Sequence, residues 1–500
     1  MNDKRESSRA RCVMVLGTTS GAGKSWLATA LCRWYARQGW RVAPFKAQNM
    51  SNNARVVAGG EIGSAQYFQA LAARVRPDVR MNPLLLKPEH DARSQVVLMG
   101  QVNEALSVLP WRGRSERVWP HIVRALDALR AENDVVVIEG AGSPAEINLM
   151  ASDIVNLRVA RQADARCLLV TDIDRGGAFA HLYGTWALMP EADRALLHGF
   201  VLNKFRGDAS LLAPAPQMLQ QMTGVPTVAT LPMWWQHGLP EEDGMFEGPL
   251  APSLPSPGEE RRRTVAIVAC PRISNLDEFQ PLRNMPGVRL RWVRTAAGLA
   301  DLAPADWIVL PGSKHTSGDL AWLRTQGLDR AVAAHAARGG AVLGICGGLQ
   351  MLGEALIDPH GIDGNAAGLG LLPLVTVFEP DKTVRHRDAR FGALTGAWAA
   401  LSGVAMHGYE IHHGKTAEHP AMAAAGDRAV PVMPDALAWQ NRAGNVLGLY
   451  LHGLFEDPAV LHALFGASAP TLDAVFDRLA DFIDTHFAQG TLRALIDGPP

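Results

Sequence analysis

The chain has 500 residues, 48% hydrophobic and 19% charged, with a formal net charge of −1 and a pI near 7.0. That length exceeds one hydrophobic core and calls for at least two domains. The even charge balance leaves no electrostatic footprint for nucleic acid or an anionic membrane, and no apolar window reaches the roughly 18 residues of a spanning helix. Five cysteines without C-x-x-C spacing point to reduced thiols in a cytoplasmic protein, not to disulfides or zinc. The polar start "MNDKRESSRAR" and the short apolar run Cys12–Leu16 do not make a signal peptide.

In chain order, the first feature is an apolar strand running into "GTTSGAGKS", Gly17 to Ser25. A P-loop reads G-x-x-x-x-G-K-[ST], which would put the first glycine at position 18, where this chain has threonine. The strand–turn–helix context is nevertheless that of a phosphate cradle. Gly21 and Gly23 let the backbone approach the phosphates, Lys24 reaches the β/γ oxygens, and the Ser25 hydroxyl is placed for Mg²⁺. In the helix that follows, Trp26, Leu27, Ala30, Leu31, Trp34 and Tyr35 share one face.

Further Val/Ile/Leu-rich runs alternate with helical patterns: "RVAPFK", "DVVVIEGAG", "RCLLVTDIDRGG" and "HGFVLNKF". Strands apolar on both faces imply a parallel sheet covered by helices on both sides. Glu139 ends one of these strands, where Walker-type acids hold the nucleotide's Mg²⁺. Asp172 and Asp174 end another, placed to assist the metal or the acceptor. Asn203 ends a third, where its amide could read the adenine edge.

From Glu241 to Arg263 the chain turns rich in Pro, Gly and charge, the composition of a linker. A second α/β pattern follows: "TVAIVAC", "DWIVLPGS", "AVLGICGG" and "VLGLYLHG", then an amphipathic helix around Leu472 to Phe487. The expected organisation is an ATP-dependent unit at 1–240, a linker at 241–263, and a second α/β unit at 264–500 that includes the C-terminal helix.

"LGICGGLQML" reads as a nucleophile elbow with cysteine in place of serine. The turn exposes the Cys346 thiol, the helix N-terminus favours its thiolate, and the Gly347 N–H is one oxyanion donor. Gly312, in the turn "VLPGSKHT", is the expected second donor. Gln350, one helical turn after the nucleophile, could orient the α-amino acid end of a substrate. His452, just past an apolar strand, is the expected base, with His412 and His413 as rivals.

Taken in order, "GTTSGAGKS", "FKAQNM", "GGEIGSAQ", "EGAGSPAEINL", "DIDRGG", "NKFRGD", "LPGSKHT", "GICGGLQMLG", "GYEIHHG" and "YLHGLFE" resemble the cobyric acid synthases, glutamine-dependent amidotransferases of cobalamin biosynthesis. The resemblance implies a dethiobiotin-synthetase-like P-loop domain, whose loop spaces its glycines as Gly17 and Gly23 are spaced, followed by a class-I-like glutamine amidotransferase domain. It implies ATP with Mg²⁺, glutamine hydrolysis at Cys346 with His452 as base, and amidation of four carboxylates (b, d, e and g) of adenosylcobyrinic acid a,c-diamide. The small-molecule partners would be ATP, glutamine and the corrinoid. The same chemistry on another carboxylate acceptor, as in an a,c-diamide synthase, is the alternative. Class I amidotransferases usually place Glu two residues after the His, but residue 454 is Leu and the nearest acid is Glu456. A Cys–His dyad is therefore expected.

Overall fold

A computed structural model describes residues 9–90, 93–240, 263–285 and 287–497. The expected linker lies outside the described residues except for Arg263, which opens a strand. Two parallel sheets organise the chain. The first has six strands in the order Thr227–Pro232, Leu197–Phe205, Arg166–Asp172, Arg11–Gly17, Val135–Glu139 and Val42–Phe45, all parallel. Their apolar residues feed cores on both faces of the sheet, as the two-sided hydrophobic runs require.

The second sheet has seven strands. Val288–Val293, Arg263–Val268, Trp307–Leu310, Ala341–Ile345 and Val446–Leu449 run parallel. Ala438–Gln440 and Val430–Pro431 extend it antiparallel. Beside it a long ribbon, Leu374–Arg390 paired with Ala405–Glu418, reaches towards the first unit. There it meets the short hairpin of Ala54–Val57 and Gly60–Gly63.

One boundary differs from the expectation. The helix Leu472–His486 follows the second unit in sequence but packs on the first. Val475, Phe476, Leu479 and Ile483 are buried in one core with Leu27, Leu31 and Tyr35 of the P-loop helix Lys24–Arg37. The buried Arg33 binds Asp473 and, at 2.8 Å through Nε, Asp477. Trp26 and Trp34 meet Phe482 and Asp484 of the same helix. The broad apolar surface of Lys24–Arg37 thus serves two partners, the sheet and the C-terminal helix. Periodicity reports only that a face is covered, not by what.

Candidate functional site

The carboxyl edge of the first sheet collects the first set of side chains. Gly21 and Gly23 take positive φ values of 71° and 102°, and helix Lys24–Arg37 starts at the second of them. Gly17 explains the displaced glycine of the loop: a Cβ there would lie 3.0 Å from the Lys24 side chain, which folds back over it. Lys24 Nζ donates to the carbonyls of Thr19 (2.9 Å) and Gly142 (3.2 Å), so it is already aimed across the loop mouth.

Glu139 is buried beneath that mouth. Its Oε1 accepts from Ser25 Oγ at 2.7 Å and from Lys46 Nζ at 2.6 Å, and its Oε2 accepts from Gln69 Nε2 at 2.6 Å. Burial would raise the carboxyl, but the Lys46 charge and the bonds from Lys46, Ser25 and Gln69 outweigh it and hold Glu139 below the usual range. Lys46, Gln66 and Gln69 belong to no motif that assigns them a role, although one signal existed for the lysine. Phe45 pairs with Ile138 in the parallel register, so the residue after each strand position, Lys46 and Glu139, arrives at the same edge. Ser25 Oγ and Glu139 Oε1 form a hard-oxygen pair that fits Mg²⁺, an ion that takes most of its other ligands from phosphate and water.

Asn203 Nδ2 donates 2.9 Å to the Ala22 carbonyl, which ties this strand end to the loop. Asp172 accepts from Lys204 Nζ at 3.0 Å, and Lys204 also reaches the Gly21 carbonyl at 2.9 Å. Asp174 is paired with Arg206. Asp172 and Asn203 therefore stand at the loop, whereas Asp174 turns to a surface arginine.

The second set surrounds Cys346. This residue sits between strand Ala341–Ile345 and helix Gly347–Leu352 with φ 51° and ψ −105°, the strained backbone that makes an elbow. The turn admits only glycine next, because a Cβ on Gly347 would lie 2.7 Å from the Ser313 nitrogen. That same closeness brings the Gly312–Ser313 turn over the nucleophile. A Cβ on Gly312 would meet the His452 ring at 2.7 Å. Gln350 is buried, accepts from Thr316 Oγ1 at 3.0 Å and lines the pocket beside Cys346.

Three histidines line this pocket. His412 is held between Glu410 (3.0 Å) and the Gly414 carbonyl (2.9 Å). His413 has its Nδ1 3.1 Å from the Glu379 carbonyl, and burial pushes its pKa down to about 4. His452 lines the pocket with Cys346, whose thiol donates to the Ile411 carbonyl at 3.7 Å, and the His452 Nδ1 lies 3.0 Å from the buried Glu278 Oε1. Burial disfavours a charged imidazole there, but the Glu278 and Cys346 charges outweigh it and raise His452 to about 10.

Glu278 corrects the expected dyad. It lies on the short helix Leu276–Phe279, 174 residues before His452, and its Oε2 also accepts from the Gly453 N–H at 3.0 Å. Nothing in the sequence around His452 marks it, because the contact is made only by the fold. Glu456, the nearest acid in sequence, binds Arg55. The pocket is also shared between units, since Asn52 and Lys87 of the first line it with Cys346 and His452 of the second.

Residues 13–241 match the CobQ/CobB/MinD/ParA nucleotide-binding domain, and residues 264–460 match the CobB/CobQ-like glutamine amidotransferase domain. The chain is 80% identical to the cobyric acid synthase of Variovorax paradoxus (strain S110) over 97% of its own length and 99% of that protein's. It is 75% identical to that of Polaromonas sp. (strain JS666 / ATCC BAA-500) over 98% and 99%. With that of Leptothrix cholodnii (strain ATCC 51168 / LMG 8142 / SP-6) the identity is 64%, over 98% of each chain. A P-loop edge and a Cys–His–Glu pocket on one chain, with relatives this close along nearly its full length, place this protein in the cobyric acid synthase family.

Proposed function

We propose that the protein uses ATP and glutamine to amidate the b, d, e and g carboxylates of adenosylcobyrinic acid a,c-diamide, giving adenosylcobyric acid. The observation that carries this reading is a complete Cys346–His452–Glu278 array opening into a pocket that the ATP unit helps to line.

At the glutamine site, Cys346 gives its thiol proton to His452 and its Sγ attacks the side-chain amide carbon. The oxyanion is received at the Gly347 N–H and the Gly312–Ser313 turn. His452, held by Glu278, hands its proton to the departing ammonia, and a water then hydrolyses the thioester to glutamate. Gln350 and Thr316 position the amino acid end.

At the ATP site, a corrinoid carboxylate oxygen attacks the γ-phosphorus and ADP leaves. Ammonia next attacks the acyl phosphate carbon and phosphate leaves, which forms the amide. Lys24 and Lys46 neutralise the transferring phosphoryl, and Asn203 lies where it could face the nucleotide. Ser25 and Glu139 would hold Mg²⁺, which when bound supplies charge neutralisation to the β/γ oxygens. All five cysteines are free, which supports a reducing, cytoplasmic setting.

The test is mass spectrometry of the a,c-diamide incubated with protein, Mg-ATP and amide-¹⁵N glutamine. Label in up to four new amides is the expected result. A corrinoid left unmodified while ATP is consumed would exclude this acceptor.

A further inference from the structure

The two units meet around one buried arginine. Arg55 lies on strand Ala54–Val57 of the ATP unit and is 2% exposed. Its guanidinium forks onto two carboxylates of the other unit. Nε donates 3.0 Å to Asp277 Oδ2 and Nη1 donates 2.7 Å to Glu456 Oε2, with Nη2 bound to both residues. Among the described residues, no hydrogen bond or ion pair joins either acid to Cys346 or His452, so the pocket chemistry leaves them unexplained.

Their places in the chain supply the explanation. Asp277 immediately precedes Glu278, and Glu456 closes the turn that follows His452 and Gly453. The same guanidinium lies over the Tyr409 ring, 5.1 Å from its centre. Tyr409 stacks on the His452 ring at 5.3 Å and exchanges both backbone hydrogen bonds with His452. Asn275 adds a second tie, donating 2.8 Å to the Tyr409 hydroxyl and 3.0 Å to the Ala54 carbonyl. One residue of the ATP unit thus touches all three segments that aim the imidazole: the turn carrying Glu278, the turn after His452, and the ring stacked on it.

We propose that Arg55 is a positioning residue for glutamine hydrolysis, so that the glutaminase array is complete only when the ATP unit is docked. A bidentate fork is suited to this because it fixes direction as well as distance. Misplacing a catalytic group by about 1 Å costs on the order of 10²-fold in rate. The inference rests on Cys346 being a glutamine nucleophile but not on the identity of the acceptor.

The experiment uses the full chain in four forms: wild type, Arg55→Lys, Arg55→Met, and an uncharged triple variant, Arg55→Met/Asp277→Asn/Glu456→Gln. The triple variant removes the buried charges together and guards against a simple folding failure. Glutamate release gives kcat and KM for glutamine, iodoacetamide alkylation reports the Cys346 thiolate, and ammonium-driven, ATP-dependent amidation reports the other site.

The expected result is a loss of about 10²-fold in kcat for glutamate release in the triple variant. KM for glutamine should change less than about threefold, alkylation should slow, and ammonium-driven amidation should stay within about twofold of wild type. Arg55→Lys, which keeps the charge without the fork, should fall between. A triple variant that hydrolyses glutamine at the wild-type rate would overturn the proposal, since Arg55 would then only neutralise buried acids. Equal losses with glutamine and with ammonium would overturn it as well, by making the effect global. Wild-type glutamate release without any corrinoid amidation would instead count against the acceptor and leave the Arg55 comparison standing.

Discussion

The ATP edge and the glutamine pocket solve the same problem, aiming a few polar groups at a reacting centre, with opposite economies of chain. At the ATP edge, Gly17, Gly21, Gly23, Lys24 and Ser25 fall within nine residues, and their geometry follows from one strand–turn–helix. At the pocket, Cys346, His452 and Glu278 come from three distant segments, and the turns that aim them are tied to Arg55 of the other unit. A local motif carries its own geometry, because backbone dihedrals set it. A dispersed array depends on everything that docks its segments, which exposes it to distant changes and makes it available to coupling.

The comparison breaks most sharply at the nucleophile. Cys346→Ala should lower glutamine-dependent amidation by at least about 10³-fold, as loss of a nucleophile does in triad enzymes. Ammonium should restore synthesis, since the ATP edge is untouched, and parallel reactions with each nitrogen source decide it. Glu278→Gln comes next. It should cost on the order of 10²–10⁴-fold in glutamate release, because His452 loses the charge that holds its tautomer and orientation. The reciprocal change, Glu139→Gln, should cost about 10²-fold in ammonium-driven amidation while leaving glutamate release within about twofold. If both activities fell together, the two sites would not be separable.

A smaller effect tests the C-terminal helix. Phe476→Ala, in the core shared with the P-loop helix, should destabilise by about 3–5 kcal/mol. Thermal unfolding should show that loss, with the ATP-dependent activity failing at a lower temperature. A further effect is one of pH. The folded-state pKa of His452 is raised to about 10 from an ordinary value of 6.5. Its contribution to stability is therefore complete below about pH 6.5 and is lost as pH rises through about 10. Unfolding midpoints of wild type should decline between pH 7 and 10, and Glu278→Gln should flatten that decline. Equal slopes would remove Glu278 as the cause.

Several site residues are legible in the sequence, and for identifiable reasons. Lys24, Ser25, Glu139, Asp172 and Asn203 end apolar strands or open a helix at one sheet edge, a rule of open α/β sheets that needs no partner information. Cys346 is marked by the glycines around it. Glu278 is not, because "NLDEF" is an ordinary acidic turn until the fold brings it against His452. Arg55 is equally silent, as its two acids lie 222 and 401 residues away. The docking of Leu472–His486 on the first unit is also invisible in the sequence, since amphipathicity names a face and not the surface that covers it.

What the sequence determined by itself was the local chemistry: two parallel-sheet units, a P-loop with a displaced glycine, a cysteine elbow, and the strand ends where ligands gather. These follow from short-range rules, namely the alternation of apolar runs with helices and the few residue types that tight turns accept. Only the tertiary structure decided which acid completes the histidine, which unit receives the C-terminal helix, and how the two units share a pocket. Those outcomes are contacts between segments far apart in the chain, 174 residues in the case of Glu278 and His452. The packing of whole sheets selects them, and no local preference of the chain encodes them.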